Sequence, residues 1–396
     1  MSARLVELTV YTVAIQLRGS FGHAIVRREE SQNILVRAQL GDGTIGWGES
    51  LPRPYVSGEN CESTVSAIRR SFAPSFSELQ VDSFAELLNV CDDLPEQNED
   101  GESLCSARAA VELAILDAFG RHFKRPITML ADWLGYPDFG ARPGLPDIRY
   151  SGVLSGDDPA KVEKKIKLMW CFGLREFKLK VGLEHDQENL KVVQRLMGPA
   201  VEAGGCTLRA DANGSWSAAQ AIEQIERLEQ AGFRCIEQPL PKGHEDELPL
   251  LAAATPLPIM LDESLVTRQD AEACIAEQRA QLWNLRISKN GGLLPTMRLA
   301  ELAREHGIGY QLGCMVGETS ILSAAGRHFL TMVSGISHAE GSFGKFLIRR
   351  DISRKALRFG YGGNAKPLIG DGSAIKVEQS RVEELAIKPP VVVNLG

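Results

Sequence analysis

The chain has 396 residues, 44% hydrophobic and 24% charged, the profile of an ordinary globular protein with a sizeable core. Its 44 Lys+Arg against 51 Asp+Glu give a formal net charge of −7 with no basic tract, so neither nucleic acid nor an anionic membrane surface is an expected partner. No apolar run approaches the ~18 residues of a membrane span, no signal-like N-terminus is evident, and none of the eight cysteines forms a Cys-x-x-Cys pair, so a reduced, cytoplasmic chain is expected.

Residues 1 to about 50 read as antiparallel strands. The run Ile34 to Leu40 meets the turn Gly41-Asp42-Gly43, and Thr44 to Glu49 returns. Two loops hold an aromatic among turn formers, Arg18 to His23 with Phe21 and Pro52 to Glu59 with Tyr55. Each is either a lid that touches a substrate or an ordinary hairpin connection. Residues 60–125 are expected to be helical, with Leu104, Ala107, Val111, Ala114, Ile115 and Ala118 at helical spacing and Glu112 and Asp117 on a polar face. A Gly- and Pro-rich stretch at 135–147 predicts a boundary, which closes an α+β capping domain over residues 1–140.

From Ile148 onward, short apolar strands alternate with amphipathic segments. The strands are expected to end near Ser151, Lys180, Asp211, Glu237, Asp262, Lys289, Cys314 and Glu340, at intervals of 25 to 31 residues. Eight such units over 148–345 predict a (β/α)8 barrel, with 346–396 as a separate C-terminal segment. An open doubly wound sheet is the alternative, weakened by the missing Gly-x-Gly-x-x-Gly loop.

Barrel strand ends converge on one mouth, where catalytic groups are placed. Lys178 and Lys180 share a strand face, and like charges that close depress each other's pKa. Taken alone, the pair also fits a solvated edge strand. Asp211, Glu237 and Asp262 end the next three strands and would repel one another unless a hard divalent cation, Mg²⁺ or Mn²⁺, is held between them. With Lys289 on the far flank, the set suits removal of a proton α to a carboxylate through a stabilised enediolate. A Schiff-base lyase and a non-catalytic carboxylate-binding barrel stay open as other classes.

The motifs Phe177-Lys178-Leu179-Lys180-Val181-Gly182, Asp211-Ala212-Asn213-Gly214, Glu237-Gln238-Pro239, Asp262-Glu263-Ser264 and Lys289-Asn290-Gly291-Gly292 resemble, in order, those of the enolase superfamily's muconate-lactonising subgroup. The run Gly313 to Thr319, with Glu318, is similar to the seventh-strand signature. The resemblance implies a capping domain built from the N-terminal third and the C-terminal tail. It also implies Asp211, Glu237 and Asp262 as metal ligands and Lys180 and Lys289 as acid/base catalysts on opposite faces of the substrate. Lys178 would touch the substrate carboxylate, Asn213 and Glu263 would be supporting polar groups, and a small-molecule carboxylate and a homo-oligomer are the implied partners. Racemisation or epimerisation of a dipeptide or N-acyl amino acid is the favoured reaction, with muconate-type cycloisomerisation or syn-dehydration as alternatives. Dipeptide epimerases of the family carry Asp-x-Asp on the eighth strand, whereas this chain has His338-Ala339-Glu340. Glu340 is expected to touch substrate or to partner Lys289, with a structural salt bridge as the alternative, and His338 is a candidate substrate contact, with an ordinary strand histidine as the alternative.

Overall fold

The structure, a computed structural model, describes residues 2–22, 27–140, 148–155 and 158–396, and for residues 20–22, 27, 28 and 345 the backbone alone. The loop residue His23 and the run from Pro143 to Pro146 therefore lie outside the described residues, as does the side chain of Phe21.

The N-terminal sheet is an antiparallel meander of Ala3–Gly22, Arg27–Leu40 and Ile45–Ser50. Side chains alternate faces along a strand. Ile34, Val36, Ala38 and Leu40 thus join the main core, while Leu35 joins a second cluster with Tyr11, Val13, Ile15 and Trp47. The first face packs on the helix Cys105–Phe123, the second on Ile321 and the C-terminal segment. The chain end returns as Val391–Asn394, antiparallel to the first strand.

Glycine at two positions of the third strand has a steric cause. A Cβ on Gly46 would overlap the Ala118 amide nitrogen, and one on Gly48 the Ala110 carbonyl oxygen, because the strand lies directly on the alanine face of the long helix. Gly48→Ala is expected to destabilise the fold by about 1–3 kcal/mol through overpacking; urea unfolding would register this as a lower midpoint with an unchanged slope.

The helical expectation for 60–125 holds in pieces. Cys61–Ala67, Phe84–Asp92 and Cys105–Phe123 are helices, but Gln80–Val81 pairs with the first strand and residues 93–104 are largely irregular. Glu112 and Asp117 do not form a polar face, for both are fully buried. Glu112 accepts from the amide of Leu294 at 3.1 Å and from that of Leu293, satisfying the N-terminus of the helix Leu293–Glu305. Asp117 accepts from Trp47 and Ser373 amides at 3.0 and 2.8 Å. Glu49 caps a second barrel helix, Ser320–Met332, through the amides of Thr319 and Leu322 at 3.0 and 3.1 Å. Carboxylates of the cap thus end two barrel helices and fix the cap to the barrel.

Eight parallel strands follow: Gly152–Leu154, Glu176–Lys180, Thr207–Asp211, Ile236–Glu237, Ile259–Leu261, Leu282–Leu285, Gly309–Leu312 and Ile336–Ala339. They hydrogen-bond in sequence order, first to eighth. The sheet curls until its ends meet, since the Ser151 amide donates to the Ala339 carbonyl at 2.8 Å. Arg209 of the third strand also bonds Gln311 of the seventh across the interior, which an open sheet would hold far apart. Two strand ends differ from expectation. The first strand begins after Ser151, and the sixth stops at Leu285, because Asn290 Oδ1 accepts from the Arg286 amide at 2.8 Å and folds 286–290 into a turn. Among the described residues, no helix is long and apolar enough to cross a membrane.

Candidate active site

A cavity of about 270 Å³ opens where the barrel strands end. Lys178, Lys180, Asp211, Asn213, Arg286 and Glu340 form its polar floor, and Arg53, Ser155 and Lys165 add polar groups to its walls. Tyr55 from the cap loop and Cys314 from the seventh-strand loop also line it.

The two lysines of the second strand have separate surroundings. Lys178 is buried and its ammonium sits among Glu340 at 2.9 Å, Glu237 at 3.1 Å and Asp211 at 3.3 Å. Burial opposes its charge, but the three carboxylates outweigh that and hold its pKa above the ordinary lysine range. Lys180, two residues on, donates to Asn213 Oδ1 at 3.0 Å. Burial is the largest influence on Lys180 and lowers its pKa; the Lys178 and Arg286 charges push the same way, against Asp211. The expected depression by Lys178 is present, smaller than desolvation and than the opposing influence of Asp211.

Asp211, Glu237 and Asp262 stand at the ends of three adjacent strands, all buried. Two cations thread between them: Lys178 bridges Asp211 and Glu237, while Arg286 contacts Asp262 and reaches Glu237 at 3.5 Å. Among the described residues no three His, Cys, Asp or Glu side chains close on one point as a metal cage. The donor chemistry nevertheless fits a hard cation, because the three groups offer only carboxylate oxygens. Their ionisation is split. Burial would raise Asp211, yet Lys178, Lys180 and Arg286 bring it to about 2, whereas burial and the Asp211 charge push Glu237 to about 6. Asn284 and Gln311 donate to the Glu237 oxygens at 2.8 and 3.3 Å.

Strand ends next to the cavity carry unusual backbone. Asn213 has φ 46° and Gln238 φ 38°, in the left-handed region that asparagine tolerates better than most residues. The turn at 213 lets its amide reach Asp211 Oδ1 at 3.0 Å. Gln238 Oε1 accepts from the amides of Asp262 and Ser264 at 3.0 and 3.2 Å, tying the fourth strand end to the fifth.

The structure separates the remaining expected residues. Lys289 is buried behind Asp262, donating to its carbonyl at 2.7 Å, its carboxylate at 3.0 Å and the Asn284 carbonyl at 2.7 Å. Burial and Arg286 lower its pKa, but its three N–H donors are all used and it does not line the cavity. Arg286 occupies the sixth-strand place at the mouth instead. The sequence held a signal for it: Asn284 and Arg286 repeat the i, i+2 spacing of Lys178 and Lys180. Glu340 is held by Lys178 and, at 3.2 Å, by Arg209; burial would raise its pKa, but these two cations bring it below the ordinary glutamate range. The ion pair expected of it is formed with Lys178 and Arg209 rather than Lys289, and Glu340 also lines the cavity. His338 pairs with Glu176 at 2.7 Å, away from the cavity. Glu263 lies beside Asn213, whose amide approaches it at 3.5 Å.

Glu318 sits behind the seventh-strand loop, accepting from the Met315 amide at 2.7 Å. Burial, with Glu49 nearby, pushes its pKa from 4.5 up to about 8. A carboxyl raised on folding contributes stability that is complete below its unfolded pKa and is lost as pH climbs through the folded value. Glu318→Gln is therefore expected to raise the melting temperature at pH 9 and leave it nearly unchanged at pH 4, as thermal unfolding at the two pH values would show.

The pattern of the enolase C-terminal domain-like family matches residues 161–379, and that of the mandelate racemase / muconate lactonizing enzyme N-terminal domain matches 5–132. The chain belongs to the enolase superfamily, in its muconate-lactonising subgroup. An N-succinyl-L-Arg/Lys racemase of Bacillus cereus is 24% identical over 98% of this chain and 100% of its own, and its crystal structure superposes with a TM-score of 0.82. A muconate cycloisomerase 1 of Pseudomonas putida is 28% identical over 81% of each chain. A dipeptide epimerase from Cytophaga hutchinsonii, crystallised with Mg and the dipeptide D-Ala-L-Val, has a TM-score of 0.82 at 22% identity, covering 99% of this chain and 100% of that one. Relatives of this superfamily member thus include racemases, epimerases and cycloisomerases.

Proposed function

We propose that the protein is a divalent-metal-dependent isomerase that removes a proton α to a carboxylate, with Lys180 as the base. The observation that carries this reading is the pair facing the cavity. Lys180, desolvated and lowered in pKa, comes from the second strand, and Arg286 follows the sixth. Strands two and six of eight are diametrically opposed.

A lysine whose pKa falls towards the working pH is a more available base for a carbon acid. Asn213 accepts one of its protons and sets the direction of the ammonium once it has taken another. A guanidinium does not act as a proton donor or acceptor in proteins, so Arg286 offers fixed positive charge to a developing enediolate and does not exchange protons with it. Lys178 holds Glu237, Asp211 and Glu340 in place from below. Asp211, Glu237 and Asp262 would hold Mg²⁺ or Mn²⁺, which when bound would acidify the α-proton by drawing charge onto the carboxylate. For this the Arg286 guanidinium must move off Asp262. The Mg in the Cytophaga epimerase supports the assignment.

One mobile base favours outcomes completed on the Lys180 face, namely cycloisomerisation or syn-elimination. Racemisation is the second reading, supported by the likeness to the Bacillus racemase over nearly the whole chain. It requires a proton donor on the opposite face, and Lys289 would have to reach past Asp262 to supply one.

Exhaustive chelation is expected to abolish α-proton exchange of a test carboxylate in D₂O, with Mg²⁺ restoring it. Full exchange by the metal-free protein would sink the enediolate reading, and borohydride trapping of substrate on Lys180 would replace it with Schiff-base chemistry.

A further inference from the structure

We infer that Ser31 and Asn33 are positioning residues that join the cap wall of the cavity to its barrel wall, so that the two walls are set and loosened as one unit. The kinetic consequence rests on the reading of the cavity as the site of α-proton removal.

Two segments from distant parts of the chain make these walls. The cap loop after Ile45–Ser50 supplies Arg53, Tyr55 and Val56, and the loop after the seventh barrel strand supplies Met315 and Val316. Both segments lie outside the strands. The cap loop turns on Arg53, whose carbonyl accepts from the amides of Val56 and Ser57 at 2.9 and 3.0 Å. Its guanidinium donates to the carbonyls of Gln32 and Pro52, both at 2.9 Å. The seventh-strand loop meets the cap at Gly317, φ 102°, where a Cβ would come within 2.2 Å of the Ser31 Cβ.

Ser31 and Asn33 share one face of the second cap strand, the face that also carries Leu35 into its apolar cluster. Both are fully buried, and polar side chains in such a place are kept where their hydrogen bonds are used. Here the bonds form one directed chain. Arg53 donates to the Ser31 hydroxyl at 2.7 Å, and Ser31 donates to Asn33 Oδ1 at 2.6 Å. Asn33 Nδ2 then donates to the Gly317 carbonyl at 2.9 Å and to the Glu49 carboxylate at 2.8 Å. Chemistry fixes the direction, because a guanidinium only donates and a carbonyl only accepts. Each bond polarises the next. Asn33 thus holds the seventh-strand loop directly and the cap loop through a single hydroxyl.

Ser31→Ala is the decisive variant, since it keeps the Cβ against Gly317 and removes only the hydroxyl between Arg53 and Asn33. Amide hydrogen exchange, followed by mass spectrometry on the full chain, is expected to quicken about five-fold in both 52–57 and 313–319, and not in the helix Cys105–Phe123. Asn33→Leu also severs the Gly317 bond and should quicken 313–319 at least as much. Acceleration of 52–57 alone in Ser31→Ala would make Arg53 a local anchor and overturn the inference. Acceleration of neither segment, or of the whole molecule, would overturn it equally. This measurement involves no turnover, so it decides even if the proton-abstraction reading fails. With Mg²⁺ and N-acetyl-L-phenylalanine as the probe, Ser31→Ala should raise KM for α-deuterium entry about three-fold and leave kcat within about two-fold, because the walls bind ground and transition state alike. An unchanged KM, with or without a fall in kcat, would overturn the positioning role.

Discussion

Lys180→Met is expected to reduce α-proton exchange by about 10³–10⁴-fold, the upper part of what a positioned acid/base group contributes. The change removes the group facing the cavity and the donor to Asn213, but leaves Lys178 with its three carboxylates. The variant should therefore fold and bind a carboxylate nearly as the parent does, so that the loss appears in kcat rather than KM. The pH profile gives a second reading of the same residue. Because burial lowers the Lys180 pKa, exchange should rise with pH and level off below the ordinary lysine value of 10.5. A limb at or above that value would mean that the neutral lysine is not the acting form.

Arg286→Met is expected to lower exchange by about 10²–10³-fold, the cost of removing one donor aimed at developing negative charge. Two carboxylates also lose their contact with this guanidinium, Asp262 directly and Glu237 at 3.5 Å. Arg286→Lys is the more informative change. A lysine in this position keeps the charge and adds a group that can give up its proton. Exchange should then appear at both faces, and a single enantiomer should begin to racemise at a rate the parent does not show. If the parent already racemises freely and Arg286→Lys alters nothing, the return proton comes from elsewhere, and Lys289 becomes the donor to examine.

Much of this was legible in the sequence because strand ends carry chemistry in a pattern that few other folds produce. Lys180, Asp211, Glu237 and Asp262 stand within one residue of where alternation and spacing put them. Lys289 lies beyond the end of the sixth strand because a side-chain bond from Asn290 closes the chain into a turn, and turn closure by a single side chain leaves little trace in hydrophobic periodicity. Glu112 and Asp117 depart from the polar-face expectation because a carboxylate four residues from an arginine, as each of them is, looks the same in sequence on a solvated helix and a buried one. Besides these arginines, they accept from the amides of Leu294 and Ser373, nearly two hundred residues or more away in the chain. Glu340 illustrates the same limit: its partners Lys178 and Arg209 come from strands that meet the eighth only when the barrel closes.

The most direct test of the account follows one enantiomer. N-Acetyl-L-phenylalanine is incubated with the Mg²⁺-loaded protein in D₂O, and α-deuterium content and enantiomeric composition are measured on the same samples. One mobile base at Lys180, opposed by a guanidinium, predicts deuterium entering with the L configuration retained, and no entry with Lys180→Met. D-enantiomer accumulating as fast as deuterium enters, or undiminished exchange in Lys180→Met, would contradict it.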